Sequence, residues 1–127
     1  MDINKVTETI IGASIEVHKA LGPGLLESAY EECLCHELTL NHMRFFRQQK
    51  LPLVYKGIHL DCGYRIDLFV EECVIVELKT IEKLSSIHDA QLLTYMRLTD
   101  SSVGLLINFN VPVLRNGIRR KVLNHND

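Results

Sequence analysis

Residues 64–79, Tyr-Arg-Ile-Asp-Leu-Phe-Val-Glu-Glu-Cys-Val-Ile-Val-Glu-Leu-Lys, admit few arrangements. Tyr64, Ile66, Leu68 and Val70 alternate with Arg65, Asp67 and Phe69, and Val74, Val76 and Leu78 alternate with Ile75, Glu77 and Lys79. Side chains two apart share a strand face, so Glu77 and Lys79 project together. The two runs predict a β-hairpin, and the turn length sets its register. A two-residue turn at Glu71-Glu72 pairs Ile66 with Glu77 and mixes the faces. A three-residue turn, Glu71-Glu72-Cys73, pairs Val70 with Val74, Leu68 with Val76 and Ile66 with Leu78. Register follows the apolar pattern where one face is buried, so the second arrangement is expected.

That register sets Asp67 opposite Glu77 and Arg65 opposite Lys79, with opposed Cβ atoms about 5 Å apart. Two carboxylates so close repel unless a cation bridges them or one is protonated. A hard divalent ion, Mg²⁺ or Mn²⁺, suits carboxylate oxygens as that bridge. The bland alternative is an acidic pair that merely solvates one sheet edge.

The chain of 127 residues is expected to form one domain over 1–127, large enough to bury a core without staples. Cys33, Cys35, Cys62 and Cys73 have no C-x-x-C spacing, which argues against a zinc site or a disulfide framework. They read as reduced thiols, and the N-terminus lacks a signal-peptide pattern. No apolar run approaches a membrane span, so a cytoplasmic protein without membrane partners is expected. A net charge of −2 gives no global field for nucleic acid, so any such contact needs a local patch.

Ile3, Val6, Ile10, Ala13, Val17 and Leu21 follow helical spacing and predict a helix over 2–21, stopped by Gly22-Pro23-Gly24. A second helix is expected over 26–40, burying Ala29, Tyr30, Cys33, Leu34 and Leu38. Strands are expected over 44–55 and 58–70, joined at Lys56-Gly57, with 74–80 completing a three-strand antiparallel meander. Pro52 places the first of these at an edge. Ser85 or Ser86 caps a third helix over 87–98, with Asp89 as a capping-box partner to Ser86. Val103–Phe109 is a further strand, and 117–123 is a candidate for another. The order gives an α/β layer with helices packed on a mixed sheet.

Two further pairs share helix faces: Glu27 with Tyr30, and Gln91 with Tyr95. A first-turn glutamate that favours the helix dipole explains Glu27 alone equally well. A semi-exposed helix edge, with Leu92, Leu93 and Met96 buried, explains the second pair. Taken in order, Glu27, Asp67, Glu77-x-Lys79 and Gln91-x-x-x-Tyr95 resemble the PD-(D/E)XK nuclease superfamily. The resemblance is to the small stand-alone group named for its GxxExxY motif, here Gly24, Glu27 and Tyr30. The Gln91-x-x-x-Tyr95 element is similar to that of RecB-like nucleases. Ile66 stands where the nominal motif has proline.

The resemblance implies a restriction-endonuclease-like fold and metal-dependent hydrolysis of DNA or RNA. It assigns Asp67 and Glu77 to Mg²⁺ or Mn²⁺, with the Leu78 carbonyl as a further ligand. Glu27 is implied to reach the metal directly or through water. Lys79 is implied to orient water and offset transition-state charge, and Gln91 and Tyr95 to position the phosphate or the lysine. The rival class is a nuclease-fold binding or assembly module with weak or no catalysis. A homodimer is one way for so small a domain to surround a duplex. Arg115, Arg119, Arg120 and Lys121 are a candidate phosphate-contacting edge or a solvated last strand. Arg44 and Arg47 around Phe45 and Phe46 form either a stacking platform for single strands or a pair of rings divided between core and interface.

Overall fold

The computed structural model describes residues 2–123. Helices α1 (Ile3–Leu21) and α2 (Glu27–Leu40) precede strands β1 (Phe45–Lys50), β2 (Leu53–Tyr55), β3 (Ile58–Leu60), β4 (Arg65–Val70) and β5 (Val74–Lys79). Helix α3 (Ser86–Thr99), strand β6 (Val103–Asn108), a 3₁₀ turn (Leu114–Gly117) and β7 (Ile118–Val122) follow. Five strands form one sheet in the order β1-β4-β5-β6-β7, antiparallel except for β5 beside β6. A parallel pair needs a long crossover, and α3 supplies it.

The helices cover both faces of this sheet. Val6, Ile10, Tyr30, Leu34 and Leu38 of α1 and α2 pack on Leu68, Val70, Val74, Val76 and Leu78. Leu92 and Met96 of α3 pack on Ile75 and Leu106 from the other side. Burial on both faces explains why Val74 to Leu78 are all buried, Glu77 among them. No helix among the described residues is long and apolar enough to cross a membrane.

The two long strands expected over 44–55 and 58–70 are each broken. Pro52 has no amide for a ladder, and β1 ends two residues before it, on the sheet edge as expected. The segment between β1 and β4 instead folds into a separate β2–β3 ribbon. Lys56 and Gly57, with φ of 48° and 80°, make the two-residue turn that closes it. The meander is therefore β1-β4-β5 with a hairpin inserted.

The Glu71-Glu72-Cys73 turn has the expected register, with Val70 opposite Val74 and Leu68 opposite Val76. The ladder then stops short of the expected Ile66–Leu78 and Arg65–Lys79 pairs. Beyond Leu68 the strand reverses its faces, and Ile66 packs with Ile75 in the α3 core rather than with Leu68. The reversal coincides with Gln48 on β1, at φ 49°, which is skipped in the β1–β4 register between Arg47↔Leu68 and Gln49↔Ile66. In α2, Ala29 and Cys33 are only half-buried, while Cys35 and Glu31 are buried.

One of the two expected caps of α3 is realised, and the role of Asp89 changes. Ser85, not Ser86, caps α3, and its amide donates to Nδ1 of His88 at 3.0 Å. Asp89 is instead bound to Arg119 at 2.6 Å and Lys121 at 3.4 Å on β7. Strand alternation thus divides the basic C-terminal group: Arg120 reaches Asn4 on α1, on the opposite side of the sheet.

Candidate active site

The acidic pair lies where β4 and β5 part. The Asp67 amide donates to Oε2 of Glu77 at 2.8 Å, and the Leu78 amide donates to Oδ2 of Asp67 at 2.8 Å. Each carboxylate thus accepts an amide that would otherwise enter the ladder, so the two strands are joined by their acids at this point. The expected opposition of Asp67 and Glu77 is realised through this interlock rather than through a regular pair.

Glu77 is only 5% exposed, and burial pushes its carboxyl up to about 8, with the Asp67 charge adding to the rise. The Asp67 amide and Lys79 oppose that rise, and Glu27 adds to it. Burial likewise raises Asp67, against the Leu78 amide and the Gln48 side chain, which favour its ionised form. Glu27 stands in the first turn of α2, its carboxyl raised by partial burial and then by Asp67, and lowered by Lys79. Three acids and one ammonium therefore feel one another across β4, β5 and α2.

Lys79 shares the parity of Glu77 on β5, and its ammonium has no hydrogen bond or ion pair among the described residues. Its backbone is held by Phe109, whose amide donates to the Lys79 carbonyl at 2.9 Å. The Lys79 side chain lines a cleft of about 480 Å³ together with His88, Gln91 and Thr94 of α3. Gln91 donates to the Tyr95 hydroxyl at 3.2 Å, so the pair expected on one helix face is joined. Tyr95 is buried rather than semi-exposed, and its hydroxyl is raised by burial and then by the Glu77 charge.

The Gly24-x-x-Glu27-x-x-Tyr30 spacing has a direct cause. Gly24 has φ of 102°, a conformation that L side chains rarely adopt. The Tyr30 hydroxyl donates to the Gly22 carbonyl at 2.6 Å and accepts from the Leu25 amide at 3.1 Å. Its ring stacks on Phe109 at 4.4 Å. The loop so clamped delivers Glu27 to the start of α2, within reach of the Asp67 charge.

The carboxylates can be tested against a hard divalent ion. Asp67 Oδ1 accepts only from the Gln48 amide, at 3.1 Å, and Glu77 Oε1 has no partner among the described residues. Each acid thus keeps an oxygen free of the backbone. Mg²⁺ is commonly held by one or two carboxylates and water, so this donor set fits it. No group of three or more His, Cys, Asp or Glu arranged for a metal occurs among the described residues.

The chain matches the family model of the PD-(D/E)XK nuclease superfamily over residues 4–121. It is a member of that superfamily. The five-stranded mixed sheet between helices is its restriction-endonuclease-like fold. Comparisons with curated proteins and with solved structures gave no match.

In this PD-(D/E)XK protein the sequence reading missed a supporting set. Gln48 donates to both Asp67 and Glu31, at 3.1 and 2.7 Å, and Arg47 binds Glu31 and Glu32, each at 2.9 Å. The i, i+4 spacing of Glu27 and Glu31 was the available signal for Glu31. Nothing local marks Gln48. Arg47 is engaged by these acids and Arg44 by Glu71, so both arginines beside the two rings are ion-paired within the fold. Phe45 packs against the core while Phe46 stays exposed.

Proposed function

We propose that this protein is a divalent-metal-dependent nuclease of the GxxExxY group that hydrolyses phosphodiester bonds of DNA or RNA. The observation that carries the reading is the interlocked Asp67–Glu77 pair, with an unpaired Lys79 one alternation away. A buried Glu77 whose proton affinity is raised by burial and by the Asp67 charge is a costly arrangement, and a site for a cation accounts for it.

Asp67 and Glu77 would hold Mg²⁺ or Mn²⁺, with the Leu78 carbonyl and Glu27, directly or through water, as further ligands. Such an ion supplies Lewis-acid stabilisation of charge on the phosphate and makes water easier to deprotonate. Lys79 donates to a phosphate oxygen or to the attacking water, and its compact ammonium offsets charge that grows in the transition state. Gln91, hydrogen-bonded to Tyr95, holds the phosphate near Lys79 from the α3 side.

Incubation with labelled linear and circular, single- and double-stranded DNA and RNA, with Mn²⁺ and with chelator, tests this. Cleavage that needs metal is expected. Lys79→Ala should lower it by at least ~100-fold while circular dichroism and Tm stay unchanged, because the Lys79 ammonium has no hydrogen bond or ion pair among the described residues. Unchanged turnover removes Lys79 from the reaction. The second reading, a nuclease-fold binding module, draws on the net charge of −2 and the division of the C-terminal basic residues across both sheet faces. Metal binding by calorimetry without cleavage of any strand type would favour it.

A further inference from the structure

We propose that the cleft between the β2–β3 ribbon and α3 is a slot for one unpaired nucleobase of the substrate strand, with Tyr64 as its stacking platform. The inference rests on the nuclease reading and narrows the substrate to strands that can present an unstacked base.

The slot is a cleft of about 240 Å³ whose walls include Leu53 of β2, Tyr64 and Leu98, with Gln91, Thr94 and Tyr95 along α3. Gln91 and Thr94 also line the larger cleft that holds Lys79, so the two cavities share a wall. Their chemistry differs across it. One side carries an ammonium and an imidazole, and the other is aliphatic and aromatic. A nucleotide has the same division, with an anionic phosphodiester and a flat base of apolar faces. Seating the phosphate by Lys79 brings the adjoining base to Tyr64.

The platform is exposed yet held. Tyr64 is 45% exposed, and its ring meets Tyr95 edge-on at 6.3 Å and 64°. Its carbonyl accepts from the Leu51 amide at 3.0 Å, which fixes the chain just before β4. Tyr95 feels the charges of Glu77 and Asp67, so the slot adjoins the acidic pair. The Gln91 amide gives one N–H to Tyr95, and with its second N–H turned to the phosphate its carbonyl oxygen remains for a base edge. A paired base inside a duplex is stacked on both faces and cannot enter, so single strands, overhangs and frayed ends are the substrates this geometry accepts.

The test is fluorescence anisotropy with a labelled single-stranded oligothymidylate and with an all-abasic oligomer of equal length, in Ca²⁺, probe integrity being checked on a gel. The abasic oligomer keeps every phosphate and removes every base. Wild type should prefer the intact oligomer by about tenfold, as expected for one base–aromatic stack. Tyr64→Ala should erase that preference and Tyr64→Phe should keep it, with Tm within a few degrees in both because the ring is exposed. Equal wild-type affinity for the two oligomers, binding of neither, or a preference that survives Tyr64→Ala overturns the slot. Metal-dependent cleavage without base preference sinks the slot alone. Base preference without cleavage in any metal sinks the nuclease reading and leaves the slot standing.

Discussion

At the scale of single residues, the site depends on amides and carboxylates that trade places. Asp67 and Glu77 accept amides from the opposing strand, which leaves each with one oxygen free of the backbone. Gln48 then steadies Asp67 and ties it to Glu31, and it does so from a left-handed backbone in a strand. A side chain that orients a metal ligand commonly matters 10–100-fold to metal affinity. Gln48→Leu should therefore weaken Mn²⁺ binding by about tenfold or more in calorimetry, with Asp67 still present. Unaltered affinity would reduce Gln48 to a structural residue. Sequence alternation identified Glu77 and Lys79 as face partners without help from tertiary structure. Gln48 was invisible because its role comes from a strand neighbour nineteen residues away.

At the scale of elements, loops and caps decide where each acid stands. Tyr30 clamps the glycine loop and stacks on Phe109, so α2 starts at a fixed place relative to β4. Tyr30→Phe keeps the ring and removes both hydroxyl bonds. It should cost about 1 kcal/mol in denaturant unfolding and lower metal-dependent turnover through Glu27. That loss of stability without a turnover change would confine Tyr30 to folding. On the other face, Arg119 of β7 binds Asp89 in the first turn of α3. Its charge is already matched within the fold. Arg119→Ala should lower Tm and leave the salt slope of nucleic-acid binding unchanged; a slope reduced by about one would instead mark a phosphate contact. Helix positions were legible because apolar spacing and glycine punctuation are local. The inserted β2–β3 ribbon has the same alternation as extensions of its neighbours would have, so local pattern does not separate the two.

At the scale of the whole molecule, the acidic pair couples folding to pH. Glu77 binds its proton up to about pH 8 when folded, against an ordinary value of 4.5. Between those values the folded protein holds more protons than the unfolded chain, so its stability falls as pH rises. The contribution is absent below about 4.5 and complete above about 8, on the order of a few kcal/mol. The raised Asp67 and Glu27 carboxyls act in the same direction. In chelator, the Tm difference between wild type and Glu77→Gln should grow in favour of the variant from pH 5 to pH 8. On the proposed metal-dependent reading Mg²⁺ would bind the deprotonated acids, so it should restore wild type most at pH 8. A difference independent of pH and metal would mean that Glu77 carries no such penalty.

Local order in the chain determined the helices, the three-residue turn and the shared face of Glu77 and Lys79, because periodicity and turn chemistry act over a few residues. Tertiary structure alone decided the rest: the face reversal at Asp67, the carboxylate–amide exchange between β4 and β5, and the meeting of Gln48 and Glu31 beside them. Those features arise where strands part and helices from distant segments close in, and no spacing along the chain records such a meeting.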